Sequence, residues 1–300
     1  MYLVLYNKLY IERKENIMNT KSWNDLAEVE NATATATNLL LIDANNLAFR
    51  WLQRKNVDNF TDDFIKTIKS LERSYRIERT IVCFDFGRSY YRNELLDTYK
   101  ANRKKPTDPE IIEKFDKFFS CLNVIPDKIP FENYKFRGVE ADDIIAYLCQ
   151  NIASTYKHTW IVSSDRDLFQ LIGNEVSIFN MFARKEITID TLLEEYQVSP
   201  EEYMLSRIIE GDKSDNIMGV EGIGPKRAQA LARKHKTLSD LLKALPIKPA
   251  KSKFLKNLNQ SKELLIKNQS LINLKDYNEI CIKAGKHGDE AWEELQGVVT

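Results

Sequence analysis

The stretch LLLID, residues 39–43, is an apolar run closed by an acid. Four large apolar side chains in succession leave no polar face. Such a run reads as a strand buried on both sides, the habit of parallel sheets covered by helices. Two further runs share this form, TIVCFD at 80–85 and TWIVSSD at 159–165. Helical patterns lie between them, over Phe60–Tyr75, about Pro109–Leu122 and Glu140–Tyr156. Strands that alternate with helices predict an α/β fold with a mostly parallel sheet and flanking helices.

Each of the three runs ends in an aspartate: Asp43, Asp85 and Asp165. A single such acid is an ordinary helix cap. Open α/β sheets, however, bind ligands outside the carboxyl ends of their strands, and three acids on that edge point to a site. Asp167 follows at once. The stretch RGVEADDIIAY (137–147) then places Glu140, Asp142 and Asp143 within four residues at a helix start. The positive end of a helix welcomes one or two acids there and leaves the third unexplained. GDKSDN (211–216) adds Asp212 and Asp215.

These nine carboxylates stand in a chain with only three histidines and no paired cysteines. All-oxygen ligation suits a hard divalent cation, Mg²⁺ or Mn²⁺, rather than zinc. Without cations the acids would repel one another and some would hold protons. Two ions about 3.5–4 Å apart can clamp a phosphodiester between attacking water and leaving oxygen. The reaction class read from the acids is therefore metal-assisted phosphodiester hydrolysis.

The chain's 44 Lys and Arg balance its 44 Asp and Glu, but unevenly. Residues 226–256 carry ten cations (226, 227, 233, 234, 236, 243, 248, 251, 253, 256) against the single acid Asp240, a net +9 in 31 residues. Such a segment fits a polyanionic partner. Just before it and overlapping its start, GVEGIGPKRA (219–228) combines Gly222 and Gly224 with Lys226 and Arg227 at a helix start. Bare glycine backbone, free N–H groups and two cations can hold a duplex phosphate without reading bases. In DTYKANRKK (97–105), Lys100 and Arg103 share a face if the segment is helical. From there they could neutralise charge developing on a scissile phosphate. Lys104 and Lys105 extend this basic cluster toward nucleic acid, and Tyr99 could stack on an exposed base.

Taken together, LLLIDANNLAFR, IVCFD, TYKANR, RGVEADDIIA, VSSDRDLFQL, GDKSDNI and GVEGIGPKRA resemble the bacteriophage and bacterial 5′-nucleases, or flap endonucleases. That family includes the N-terminal domain of bacterial DNA polymerase I, and the likeness is greatest to standalone phage enzymes. It covers about residues 39–285. The resemblance implies a PIN-like core, a helical arch at about 88–122, and a helix-hairpin-helix at about 215–236. It implies a first metal served mainly by Asp43, Asp85, Glu140, Asp142 and Asp143. A second would be served mainly by Asp165, Asp167, Asp212 and Asp215. K⁺ on the backbone of Ile217, Val220 and Ile223 is implied as well. Lys100 and Arg103 match basic residues at the base of the arch, and Tyr99 an aromatic that meets substrate. Ala44 and Ala101 depart from the family pattern, standing where glycine is frequent.

The domain reading is an N-terminal extension and Ala/Thr-rich linker at 1–38, a nuclease core at 39–195 and a helical region at 196–300. Residues 1–17 read as an upstream extension, with Met18 a sensible start. The function implied is flap endonuclease and 5′→3′ exonuclease action on DNA with 5′ flaps or 5′ ends, removing flaps and RNA primers in replication. A non-catalytic module for branched DNA would need no acids, and a PIN-type ribonuclease would leave GVEGIGPKRA unexplained. No apolar run approaches the ~20 residues that span a bilayer. The scattered cysteines read as free thiols of a reducing compartment. Together with the resemblance they imply the cytoplasm, that of the bacterial host for a phage protein, and a monomer.

Overall fold

The first strand, β1 (Asn38–Asp43), lies at the centre of a six-stranded sheet. Its neighbours are β2 (Ile77–Cys83) and β4 (His158–Val162), both parallel to it. Beyond β2 lies β3 (Glu132–Tyr134), and beyond β4 come β5 (Val176–Asn180) and an antiparallel edge strand, β6 (Lys185–Ile187). The order is therefore β3-β2-β1-β4-β5-β6. In this computed structural model, residues 37–54, 59–103 and 106–299 are described. The extension, the Ala/Thr stretch, Lys104 and Lys105 lie outside them. The described residues fall almost wholly within one unit, Asn38–Thr300.

Alternate side chains of β1 serve opposite faces, as a strand requires. Leu40 and Ile42 pack with α1 (Ala44–Leu52), α2 (Thr61–Tyr75) and α4 (Pro109–Val124). The buried residues of α2, Phe64, Ile68 and Leu71, recur at the spacing of one helical face. Helix α4 starts where Asp108 caps it and Pro109 supplies a preset φ. On the other face, Leu39 and Leu41 pack with α5 (Ala141–Ile152). That layer is completed by α11 (Leu274–Lys283) and α12 (Gly288–Val299), which return from the far end of the chain.

A third core joins the segment around Tyr99 to α6 (Pro200–Glu210), α7 (Pro225–His235), α8 (Leu238–Ala244), α9 (Lys253–Asn259) and α10 (Lys262–Ile272). Helix α6 opens with a capping box between Ser199 and Glu202. Between α6 and α7 a small hairpin pairs β7 (Gly211–Asp212) with β8 (Ile217–Met218). The segment at about 215–236 holds the second strand of this hairpin, β8, and α7. Within 88–122 the described chain forms α3 (Tyr90–Leu95), turns over 97–102, and then α4. Among the described residues no helix is long and apolar enough to cross a membrane.

Candidate active site

The carboxyl edge of the sheet gathers the acids. Asp43 ends β1, where it caps α1 by accepting from Asn46 N (3.0 Å) and also accepts from Ser163 Oγ (2.8 Å). Asp85 lies past the end of β2 and accepts from Ala141 N (2.8 Å) at the start of α5. Asp165 lies past β4 and accepts from Asp167 N (2.9 Å). Capping is therefore real, yet it does not separate these acids. Asp142 feels the charges of Asp165, Asp43 and Asp85. From the hairpin side, Asp212 and Asp215 meet Asp167, with one carboxylate oxygen of each within 4.8 Å of the others. Asp165, Asp167 and Asp212 line an open cleft of ≈ 450 Å³.

The electrostatics mark a place short of positive charge. Burial, then repulsion from Asp85, pushes Asp43 up to about 7. Burial and Glu140 push Asp85 up to about 6. Asp142 is raised by burial and by its three acidic neighbours, and Asp167 reaches about 7 through burial and Asp165. Two acids behave oppositely. Burial would raise Glu140, but Lys100 and Arg92 outweigh it, and Arg207 and Ser214 do the same for Asp212. Buried oxygen donors of which several are raised by burial and mutual repulsion fit hard divalent ions.

A test follows. In the unfolded chain Asp43 and Asp85 release protons near 3.8, whereas folded they hold them to about 7 and about 6. Between those values the folded state binds more protons, so their contribution to stability is lost as pH rises from about 4 to about 7. His158 and His235, lowered by burial, act in the opposite sense below their usual 6.5. Subtracting the melting temperature in EDTA from that in Mg²⁺ removes the histidine contribution. This increment is expected to grow from about pH 5 to about pH 8, as ions replace protons. An increment independent of pH would sever the acids from the metal.

Several expected residues sit differently. Asp143 is fully buried, and both its oxygens accept from Arg92, Nη1 at 2.7 Å and Nη2 at 2.8 Å. It is a partner for a buried cation rather than an available ligand, because the first turn of α5 points it inward. Tyr99 is 2% exposed, and its hydroxyl donates toward Glu140 Oε2 (2.9 Å) and Asp215 Oδ2 (3.1 Å). Its ring belongs to the third core and offers no face to a base. The segment carrying Lys100 and Arg103 is turned, not helical, with Lys100 at φ 56. Both cations nevertheless reach the acids, Lys100 Nζ donating to Glu140 (2.6 Å) and Arg103 Nη2 to Asp215 (2.8 Å).

Two cations escaped the sequence reading. Arg207 on α6 ion-pairs with Asp212 and lies 3.4 Å from Asp167. Arg92 on α3, 2% exposed, also donates to Glu140 (3.2 Å). The available signal was an arginine in a mostly apolar stretch, MLSRII for Arg207, and three acids in four residues that needed an internal counter-charge.

After the hairpin, Gly222 (φ +82) and Gly224 in the turn before α7 are exposed, as are Lys226 and Arg227 at its start. Arg227 is braced, donating to Gly222 O (2.6 Å) and lying 4.5 Å over the Phe254 ring. The side chains of Ile217, Val220 and Ile223 are buried, and Val220 O accepts from Ile223 N (3.0 Å).

Residues 38–197 match the family described as 5′-3′ exonuclease, N-terminal resolvase-like domain, and 198–291 match its C-terminal SAM fold. The chain is 37% identical over 278 residues to a flap endonuclease of Escherichia phage T5, covering 88% of this chain and 92% of the relative. To a 5′-3′ exonuclease of Bacillus subtilis it is 33% identical, covering 70% and 75%. A crystal structure of the phage T5 flap endonuclease with DNA and metal ions superposes with a TM-score of 0.81 at 34% identity, over 87% of this chain and 99% of that one.

Proposed function

Because the chain belongs to the 5′-3′ exonuclease family, we propose that it is a metal-dependent, structure-specific 5′-nuclease acting on DNA. Its substrates are 5′ flaps and 5′ ends, including RNA primers, met during replication in the cytoplasm of a bacterial host. The observation that carries this reading is the convergence of acids from separate segments on one cleft, with Asp212 and Asp215 in the hairpin that leads to the exposed glycines.

Asp43, Asp85, Glu140 and Asp142 would hold one Mg²⁺ or Mn²⁺, and Asp165, Asp167, Asp212 and Asp215 the other. Ions bound there supply Lewis acidity to the phosphate and lower the pKa of bound water. The chain's own groups bind and orient the strand. Lys100 and Arg103, now paired with Glu140 and Asp215, sit where they can meet a phosphate oxygen once cations neutralise those acids. Gly222, Gly224, Lys226 and Arg227 grip the duplex backbone away from the cut. K⁺ on the carbonyls of Ile217, Val220 and Ile223 would stiffen that grip. The protein acts as a monomer.

The direct test uses a 5′-labelled flap duplex and a matched blunt duplex, each with Mg²⁺ or EDTA. Mg²⁺-dependent product ending near the flap junction is expected. Tight flap binding without cutting in any divalent metal would exclude the nuclease.

A further inference from the structure

The acids of the cleft come from loops that repel one another, yet their spacing must be held. Ions that share a phosphate need separations near 3.5–4 Å. A misplacement of about 1 Å can cost on the order of 100-fold in rate. Something other than the acids has to set the distance between the α5 group and the group after β4.

Two buried polar side chains reach from those groups to one short piece of backbone, Leu271–Leu274, where α10 hands over to α11. Arg92 grips Asp143 and Glu140 at the start of α5 and donates Nε to Leu271 O (2.9 Å). Gln170 is 2% exposed and lies in the helical turn that begins at Asp167. Its Nε2 donates to Asp167 O (2.8 Å) and to Ile272 O (3.1 Å), and its Oε1 accepts from Leu274 N (2.9 Å). Leu271, Ile272 and Leu274 line the same small cavity as Glu140, Asp142 and Asp167. The joint therefore lies directly behind both groups of acids.

We propose that the Leu271–Leu274 joint is a ruler that sets the spacing of the two acid groups, with Arg92 and Gln170 as the positioning residues that transmit it. Each makes several hydrogen bonds at once out of contact with water. A shift of either acid loop against the joint would strand a buried donor or acceptor and expose it to the full cost of desolvation. Neither residue touches substrate in this account. The proposal rests on the nuclease reading, which places ions between the two groups.

The test uses the whole chain with Arg92→Lys, Gln170→Met and the double variant. Lysine keeps a charge beside Asp143 and Glu140 but cannot fork to them and reach Leu271 O as well. Methionine keeps the volume of Gln170 and makes none of its bonds. Four quantities are read: melting in EDTA, Mn²⁺ binding by calorimetry without DNA, and kcat and KM on the flap duplex. Each single variant is expected to fold, to bind Mn²⁺ about 10- to 100-fold more weakly, and to lose kcat with KM for DNA unchanged. The double variant should bind Mn²⁺ no worse than the weaker single, because both report on one joint. Wild-type Mn²⁺ binding in either folded variant overturns the proposal, as do losses that multiply in the double variant. Gln170→Met decides alone if Arg92→Lys fails to fold. A wild type that does not cut flaps would remove the nuclease reading, while the Mn²⁺ isotherms still report on the joint.

Discussion

Asp142→Asn is expected to abolish cutting while leaving the protein folded and able to bind DNA. Asp142 stands at the start of α5 among Asp165, Asp43 and Asp85, and burial with those charges raises it well above the ordinary carboxylate range. The amide preserves shape and removes the charge that a divalent ion requires. A ligand that contributes several kcal/mol of transition-state stabilisation, about 4 kcal/mol, corresponds to a loss on the order of 1000-fold in kcat. Stability should move the other way. With one of four mutually repelling acids neutralised, melting in EDTA should be unchanged or higher, and the gain on adding Mg²⁺ smaller. Single-turnover cleavage beside a melting curve in each condition checks both. Cutting within about tenfold of wild type would remove Asp142 from the site.

Gly219→Ala is expected to be the most damaging single-methyl addition in the segment between β8 and α7. A Cβ built on Gly219 falls 1.8 Å from Glu210 O and 2.2 Å from its carbonyl carbon. Both are backbone atoms at the end of α6, so no side chain can yield. Val220 N donates to Ile209 O (2.9 Å) beside this contact, which ties the hairpin to that helix end. Relief requires the two backbones to separate. Overpacking of this kind costs about 3 kcal/mol or more, which lowers the melting temperature by roughly 5 °C or more for a chain of this size. Duplex affinity should fall with it. Gly224→Ala is the control, since nothing lies within 4 Å of its added Cβ. That variant should melt near wild type and lose affinity only where a phosphate must approach closely. Equal melting of the two variants would refute the packing argument.

The sheet was legible because a buried parallel strand leaves a signature that needs no partner. Leu39–Ile42 is apolar at every position, and the structure buries every one. The acids were legible because several closed such strands or crowded a helix start. Tyr99, Asp143 and Arg92 were not, because their roles depend on what lies opposite. An aromatic in a basic stretch looks like a base-stacking group until the third core claims its ring. Asp143 differs from Asp142 by one residue, about 100° around the helix, which is enough to turn it from the other acids to Arg92. Lys100 and Arg103 meet Glu140 and Asp215 through turns rather than a helical face. Amphipathic helices do not name their partners either, so nothing in α11 and α12 announced that they pack on α5.

That return has a consequence for how the protein comes into being. Leu274, Ile282, Ala291 and Leu295 complete the layer over the sheet face that Leu39 and Leu41 open. Chains are made from the N-terminus at about 5–20 residues per second. The strands that carry Asp43, Asp85 and Asp165 therefore leave the ribosome well before the residues that cover them. The sheet's α5 side waits, its apolar surface incompletely shielded, until the last helices emerge. Contacts so distant in sequence also make for slow closure. A nascent chain then has its acids but no finished layer behind them until α11 and α12 have emerged.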